Sequence, residues 1–160
     1  MSTHARPQFR KLSSAESEAI LARNHVGRLA YALAGRVDIE PLHYVYRDGW
    51  IYGRTSQGAK LDATGNNFYG WWPVAFEVDE IEGLFQWRSV VVHGGIHTAP
   101  PEGEAWETES EVWQDAVRTL RTLIPETFSA NDPTPFRSVL FRISVTEVTG
   151  REAVPPAHSG

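Results

Sequence analysis

Between Val26 and Thr149 the chain repeats one pattern: short runs rich in β-branched and aromatic residues, with polar residues interleaved, broken by turn-forming pairs. The runs VGRLAYAL, RVDIEPLHYVY, WIYGRT, PVAFEVDEI, FQWRSVVVHGGIHTA and SVLFRISVTEVT each have the composition of a strand. Asp48-Gly49 suits a two-residue type I′ turn, because both residues tolerate positive φ, so the second and third runs should be antiparallel neighbours. A bend is expected at Gly94-Gly95 in the fifth run.

The period changes twice. Ser13 and Glu16 match the S-x-x-E capping box and predict a short helix to about Asn24 that buries Ala19, Ile20 and Ala22 or residues near them. Trp113, Val117, Leu120 and Ile124 recur at the spacing of one helical face and predict a longer helix from Glu104 to Ile124, ended by Pro125. Its acidic residues, Glu104, Glu107, Glu109 and Glu111, crowd the amino end, and Arg118 and Arg121 the carboxyl end, as the helix dipole favours. Hairpin-joined strands exclude a βαβ sheet, and a small antiparallel barrel closes them without exposed edges. Residues 1–12 read as a loosely held arm, 13–150 as one domain and 151–160 as a flexible tail.

Composition narrows the chemistry. The 160 residues contain no cysteine, which excludes thiolate nucleophiles, disulfides and zinc–cysteine sites. The formal net charge is -5 and no basic stripe occurs, so nucleic acid is not an expected partner. No apolar run has the length of a membrane span, and a soluble, cytoplasmic protein is expected. The aromatic stretch GNNFYGWWP should pack over a pocket or against a partner subunit.

The richest chemistry lies in GRTSQGAKLD, from Gly53 to Asp62. It resembles the triphosphate loop G-x-x-x-x-G-K-[ST], but Ala59 separates Gly58 from Lys60 and Leu61 replaces the hydroxyl that would hold magnesium. Arg54, Thr55, Ser56 and Lys60 nevertheless offer two cations and two hydroxyls, a set that suits a phosphate monoester. The same stretch also reads as a solvated connection from a strand to a helix. Pro41, next to His43, denies a ladder one amide and marks an edge or a ligand-facing segment. Trp87, Ser89, Val91 and His93 alternate onto one strand face, with Arg88 on the other, so one face is half polar. His93 and His97 are about 13 Å apart along a regular strand, too far for one metal ion, and no metal site is expected.

Taken in order, GRLAYAL, EPLHYVYRDGWIYGRTSQGAKLD, PVAFEVDEI and WRSVVVHG resemble the pyridoxamine 5′-phosphate oxidase-like family of FMN-binding split β-barrels, in particular its small members near the nitroimidazole-resistance proteins. The likeness runs from Phe9 to Thr98 and reaches the final strand. It implies a mainly β, α+β fold: a six-stranded antiparallel split β-barrel with one long and one or two short helices. It also implies a homodimer with FMN in crevices between subunits. On that resemblance Arg54, Thr55, Ser56 and Lys60 take the phosphate. Glu40, Pro41, Leu42 and His43 run along the flavin ring, and Ser89, with Trp87 or Arg88, reaches the ribityl chain or ring. The vitamin-forming oxidases have an Arg-Lys pair where Ala59-Lys60 stands, and nitroimidazole-resistance relatives commonly carry His at the position of Arg54. The expected activity is therefore a flavin-dependent oxidoreductase passing electrons from a reduced nicotinamide to a small acceptor, with His43 or Tyr44 as candidate proton donor. The alternative is a non-catalytic flavin, deazaflavin or haem protein for binding, storage or sensing.

Overall fold

A computed structural model of the chain describes residues 5–56, 71–99 and 111–157. Seven strands and two helices occur there in the order β1 (Gln8–Leu12), α1 (Ser14–Arg23), β2 (Val26–Leu33), β3 (Arg36–Arg47), β4 (Trp50–Thr55), β5 (Trp72–Gly83), β6 (Gln86–Ala99), α2 (Glu111–Arg121) and β7 (Val139–Val154). Every pairing is antiparallel, and β7–β4–β3–β2–β5–β6 closes back on β7. The six strands expected from the hydrophobic pattern therefore form the ring of a split barrel.

Local signals act as the sequence implies. Ser13 caps α1, its hydroxyl accepting from the Glu16 amide while the Glu16 carboxylate accepts from the Ser13 amide. Asp48 and Gly49 take positive φ of 50° and 81°, and Ala34 and Gly35 do the same in the β2–β3 hairpin. A register shift between His93 and Gly94 marks the expected bend in β6. The buried face of α1 keeps Ile20 of the expected residues and takes the nearby Ser17 and Leu21 in place of Ala19 and Ala22, which are exposed.

A second difference is β1. Gln8–Leu12 pairs residue by residue with Gly150–Val154, so these parts of the expected arm and tail are one ladder. Four of its five side chains are exposed, and the strand is held through its backbone, which is why no hydrophobic alternation announces it. β7 can serve β4 with Val139–Ser144 and β1 with Gly150–Val154 because it is 16 residues long.

The barrel interior contains Leu29, Leu42, Tyr44, Ile51, Phe76, Val78, Val90, Val92, Phe141 and Ile143. Tyr44 and Phe76 meet edge to face at 5.1 Å. Gly53, the first glycine of the apparent triphosphate loop, lies inside β4, where an added Cβ would overlap the Phe141 ring. It is there for close packing. Outside the barrel, Val117 and Leu120 of α2 cover Tyr52 and Leu140, so β4 is covered on both faces. The predicted helix is observed from Glu111; its expected beginning at Glu104 lies outside the described residues. Among the described residues no helix is long and apolar enough to cross a membrane.

Candidate functional site

The split in the barrel positions the site. The β3–β4 ladder runs from Arg47–Trp50 to Tyr44–Gly53 and ends there. β3 continues along β2, pairing Pro41 with Arg28 and Leu42 with Gly27, while β4 continues along β7, pairing Thr55 with Val139. Pro41 lies in the stretch beyond the ladder and has no amide with which to extend it. Between the diverging strands lies a cleft of about 240 Å³ lined by Glu40, Pro41, Leu42, Thr55, Ser56 and Arg137. Five residues singled out in the sequence are thus brought together.

Thr55 is buried and its hydroxyl donates to Glu40 Oε1 at 2.9 Å, linking the two strands across the cleft. Alternation places Thr55 on the barrel side of β4 with Ile51 and Gly53, and Arg54 on the other side with Tyr52. Arg54 therefore meets the segment after α2. Its Nη1 and Nη2 donate to the two carboxylate oxygens of Asp132 at 2.6 and 3.1 Å, Nη2 donates to Thr134 Oγ1 at 2.9 Å, and Nη1 donates to the Arg137 carbonyl at 3.2 Å. The side chains of Arg54 and Asp132 are only 5% and 3% exposed. The Arg54 guanidinium, assisted by the Thr134 and Phe128 amides, holds the Asp132 carboxyl well below the usual carboxylate range. Phe128, at a positive φ of 59°, stacks on Trp113 and lies under the Arg54 guanidinium at 5.0 Å. The expected phosphate ligand is in this structure the fastener of residues 128–137.

Arg137 occupies the position that sequence reasoning missed. Its guanidinium has no hydrogen-bond or ion-pair partner among the described residues, and Nη1 is buried. A buried polar group in that condition costs about 1–3 kcal/mol, and more when charged. The flanking Asp132-Pro133-Thr134-Pro135 had a readable signal: an Asx turn, realised as the Thr134 amide donating to Asp132 Oδ1 at 3.0 Å. Nothing in the sequence pattern pointed from that turn to β4.

The remaining candidates are elsewhere. Trp87 and Arg88 line a separate cavity of about 150 Å³ with Glu80, Glu82 and Glu152. Arg88 is engaged there with Glu80 and Glu152. Ser89 lies on the outer face of the barrel and donates to Glu77 Oε2 at 2.9 Å. Within one chain these three do not join the cleft. His43 is exposed beside Arg54 and Arg137 around a small cavity. Tyr44 is turned inward: its hydroxyl donates to the Leu21 carbonyl at 2.7 Å, and burial pushes its pKa up, so it offers no proton to the cleft. Lys60 and most of GNNFYGWWP lie outside the described residues; Trp71 packs on Gly95, and Trp72 donates to the Ala32 carbonyl. Among the described residues no group of three or more His, Asp and Glu could hold a metal ion.

The model of the pyridoxamine 5′-phosphate oxidase family matches residues 13–152, nearly the whole chain. The chain belongs to that family. The resemblance read from EPLHYVY, GRTSQGAKLD and WRSVVVHG is thereby borne out at the level of family. Among solved structures, this pyridoxamine 5′-phosphate oxidase family member is similar to an FAD-binding protein from Mesorhizobium loti, with 29% identity over 90% of this chain and 97% of that one and a TM-score of 0.65. An FAD-binding protein from Mycobacterium smegmatis shares the fold at 20% identity, covering 91% of this chain and 100% of that one, TM-score 0.62. So does a haem-storage protein from Vibrio cholerae at 15% identity, covering 84% and 92%, TM-score 0.61. No curated protein matches the sequence. Proteins that share this fold are thus described with more than one kind of ligand, and the fold by itself does not fix which.

Proposed function

We propose that this chain binds a flavin, as FMN, in the cleft between β3 and β4, and acts as a flavin-dependent oxidoreductase. One observation carries the reading: the ladder stops where Glu40, Pro41, Leu42, Thr55, Ser56 and Arg137 converge. The donor set fits a phosphorylated ligand. Ser56 supplies a hydroxyl, Arg137 a guanidinium with no hydrogen-bond or ion-pair partner among the described residues, and Lys60 follows Ser56 closely in the chain. The Pro41–Leu42 backbone would lie along the flavin ring. The bound flavin would supply the redox chemistry; the chain's own residues anchor and orient it and exclude water.

A homodimer is part of the proposal. The cleft, at about 240 Å³, is below the roughly 300–1,000 Å³ of whole-ligand pockets, so the described residues of one copy enclose only part of the ligand. Beside it on β3, Val37 and Ile39 are 74% and 66% exposed and pair with Ala32 and Ala30 of β2, an apolar strip that a second copy would cover. Such a dimer would allow Trp87, Arg88 and Ser89 of the second copy to complete the crevice.

Purified protein should carry flavin absorption or take up added FMN, and should oxidise a reduced nicotinamide when an acceptor is present. Protein that binds no flavin sinks the proposal. Stoichiometric flavin without nicotinamide turnover would instead favour storage or sensing, the reading suited to a cleft whose Glu40 is already engaged by Thr55.

A further inference from the structure

We infer that Arg137, in place of Arg54, is the arginine that holds the ligand's phosphate. The inference rests on the flavin reading above and assigns its anionic subsite.

Two arginines lie beside the cleft, and their surroundings differ. Arg54 already meets a carboxylate, a hydroxyl and a carbonyl, and a phosphate could recruit it only by displacing Asp132, which is itself held by two backbone amides. Arg137 lines the cleft with Ser56 and has no hydrogen-bond or ion-pair partner among the described residues. Its backbone is nonetheless fixed. The Arg137 carbonyl accepts from Arg54 Nη1, and its amide donates to the Thr134 carbonyl at 3.0 Å. Two residues on, Val139 enters the β7 ladder opposite Thr55. The Phe136 ring lies 5.8 Å from the Arg137 guanidinium.

An anchored main chain carrying a planar cation that no described carboxylate or carbonyl engages, in a cleft, is a preorganised site for an oxyanion. The guanidinium fork matches two phosphate oxygens, which a lysine cannot do. The nearby Glu40 carboxylate, held by Thr55, disfavours an anion placed against β3 and directs it towards Ser56 and Arg137.

Riboflavin, FMN and FAD separate ring binding from phosphate binding. Their dissociation constants would be measured by flavin fluorescence for the wild type, Arg137→Gln and Arg137→Lys, with circular dichroism confirming the fold. Arg137→Gln should weaken FMN about 10- to 100-fold while leaving riboflavin within about threefold, as loss of a charged hydrogen-bonded pair implies. Arg137→Lys should fall between, since it keeps the charge and loses the fork. Equal weakening of riboflavin and FMN by either variant, or no change in FMN, overturns the assignment to phosphate and leaves flavin binding standing. A wild type that binds none of the three overturns both readings. If the glutamine variant does not fold, the lysine variant's FMN-to-riboflavin ratio decides alone: an unchanged ratio refutes the inference.

Discussion

The two ends of β7 hold arginines and carboxylates together in opposite ways. Near Val139, one pair, Arg54 and Asp132, is sealed from water, and each oxygen of the carboxylate accepts from both the guanidinium and a backbone amide. Near Val154, an open chain of pairs runs Glu16, Arg10, Glu152, Arg88, Glu80, Arg23, tying β1 and α1 to the barrel. The second has more ion pairs, but the first should matter more to stability. Charges out of water are costly when unpaired, whereas exposed ones return to solvent. The buried pair also lies behind the cleft, across β4 from Thr55.

The largest test of that contrast is Asp132→Ala, which leaves the Arg54 guanidinium buried without its counter-charge and should cost about 3–5 kcal/mol in denaturant unfolding. Replacing both partners, Arg54→Met with Asp132→Leu, should recover most of that loss, since no charge is then stranded. A loss below about 1 kcal/mol for the single variant would erase the distinction between the two ends.

Acid should act next, on both ends. Asp132 and Glu80 lose protons more readily in the folded chain because arginines hold their charged forms, Glu80 being lowered to about 2 by Arg23, Asn24 and Arg88. The folded state then binds fewer protons than the unfolded one, so stability rises with pH in that window. Their contribution should be complete above about pH 5, start to fall as pH drops past the unfolded values near 4, and be lost below the folded ones. Glu77 runs the other way: burial raises its carboxyl, partly offset by the Ser89 hydroxyl, so its ionisation costs stability as pH rises from about 4 through the raised value. Thermal melts from about pH 3 to 7 should show net acid loss in the wild type, and an Asp132→Asn variant should show a shallower one.

The smallest effect belongs to the open chain. Glu80→Gln removes the acceptor of Arg23 and Arg88 yet should cost only about 0.2–1 kcal/mol, with most of the difference screened out at about 1 M salt. A larger, salt-insensitive loss would show that the network behaves as a buried unit.

The parts that were legible in the sequence are those set by neighbours along the chain. Positive-φ turns at Asp48-Gly49, the Ser13 cap, the apolar face of α2 and the alternation that sends Val90 and Val92 inward are all local constraints. Pro41 and the Thr55-Ser56 pair, which line the cleft, stood out in the sequence for the same reason: a missing amide and adjacent hydroxyls are visible without any fold.

What the tertiary structure alone decided is which charges find partners. Arg54 looked like a ligand because it shares one stretch with Thr55, Ser56 and Lys60; its partner, Asp132, lies 78 positions away and arrives only when the segment after α2 folds over β4. The same folding leaves Arg137, featureless in the sequence, in the cleft with no hydrogen-bond or ion-pair partner among the described residues. The strand β1 was hidden too, since a ladder made by the backbone leaves little mark in exposed side chains. Periodicity records where a side chain points relative to its neighbours in the chain, and so determines strands and faces. Neutralising a charge needs contact between segments distant in the chain, and only tertiary folding decides it.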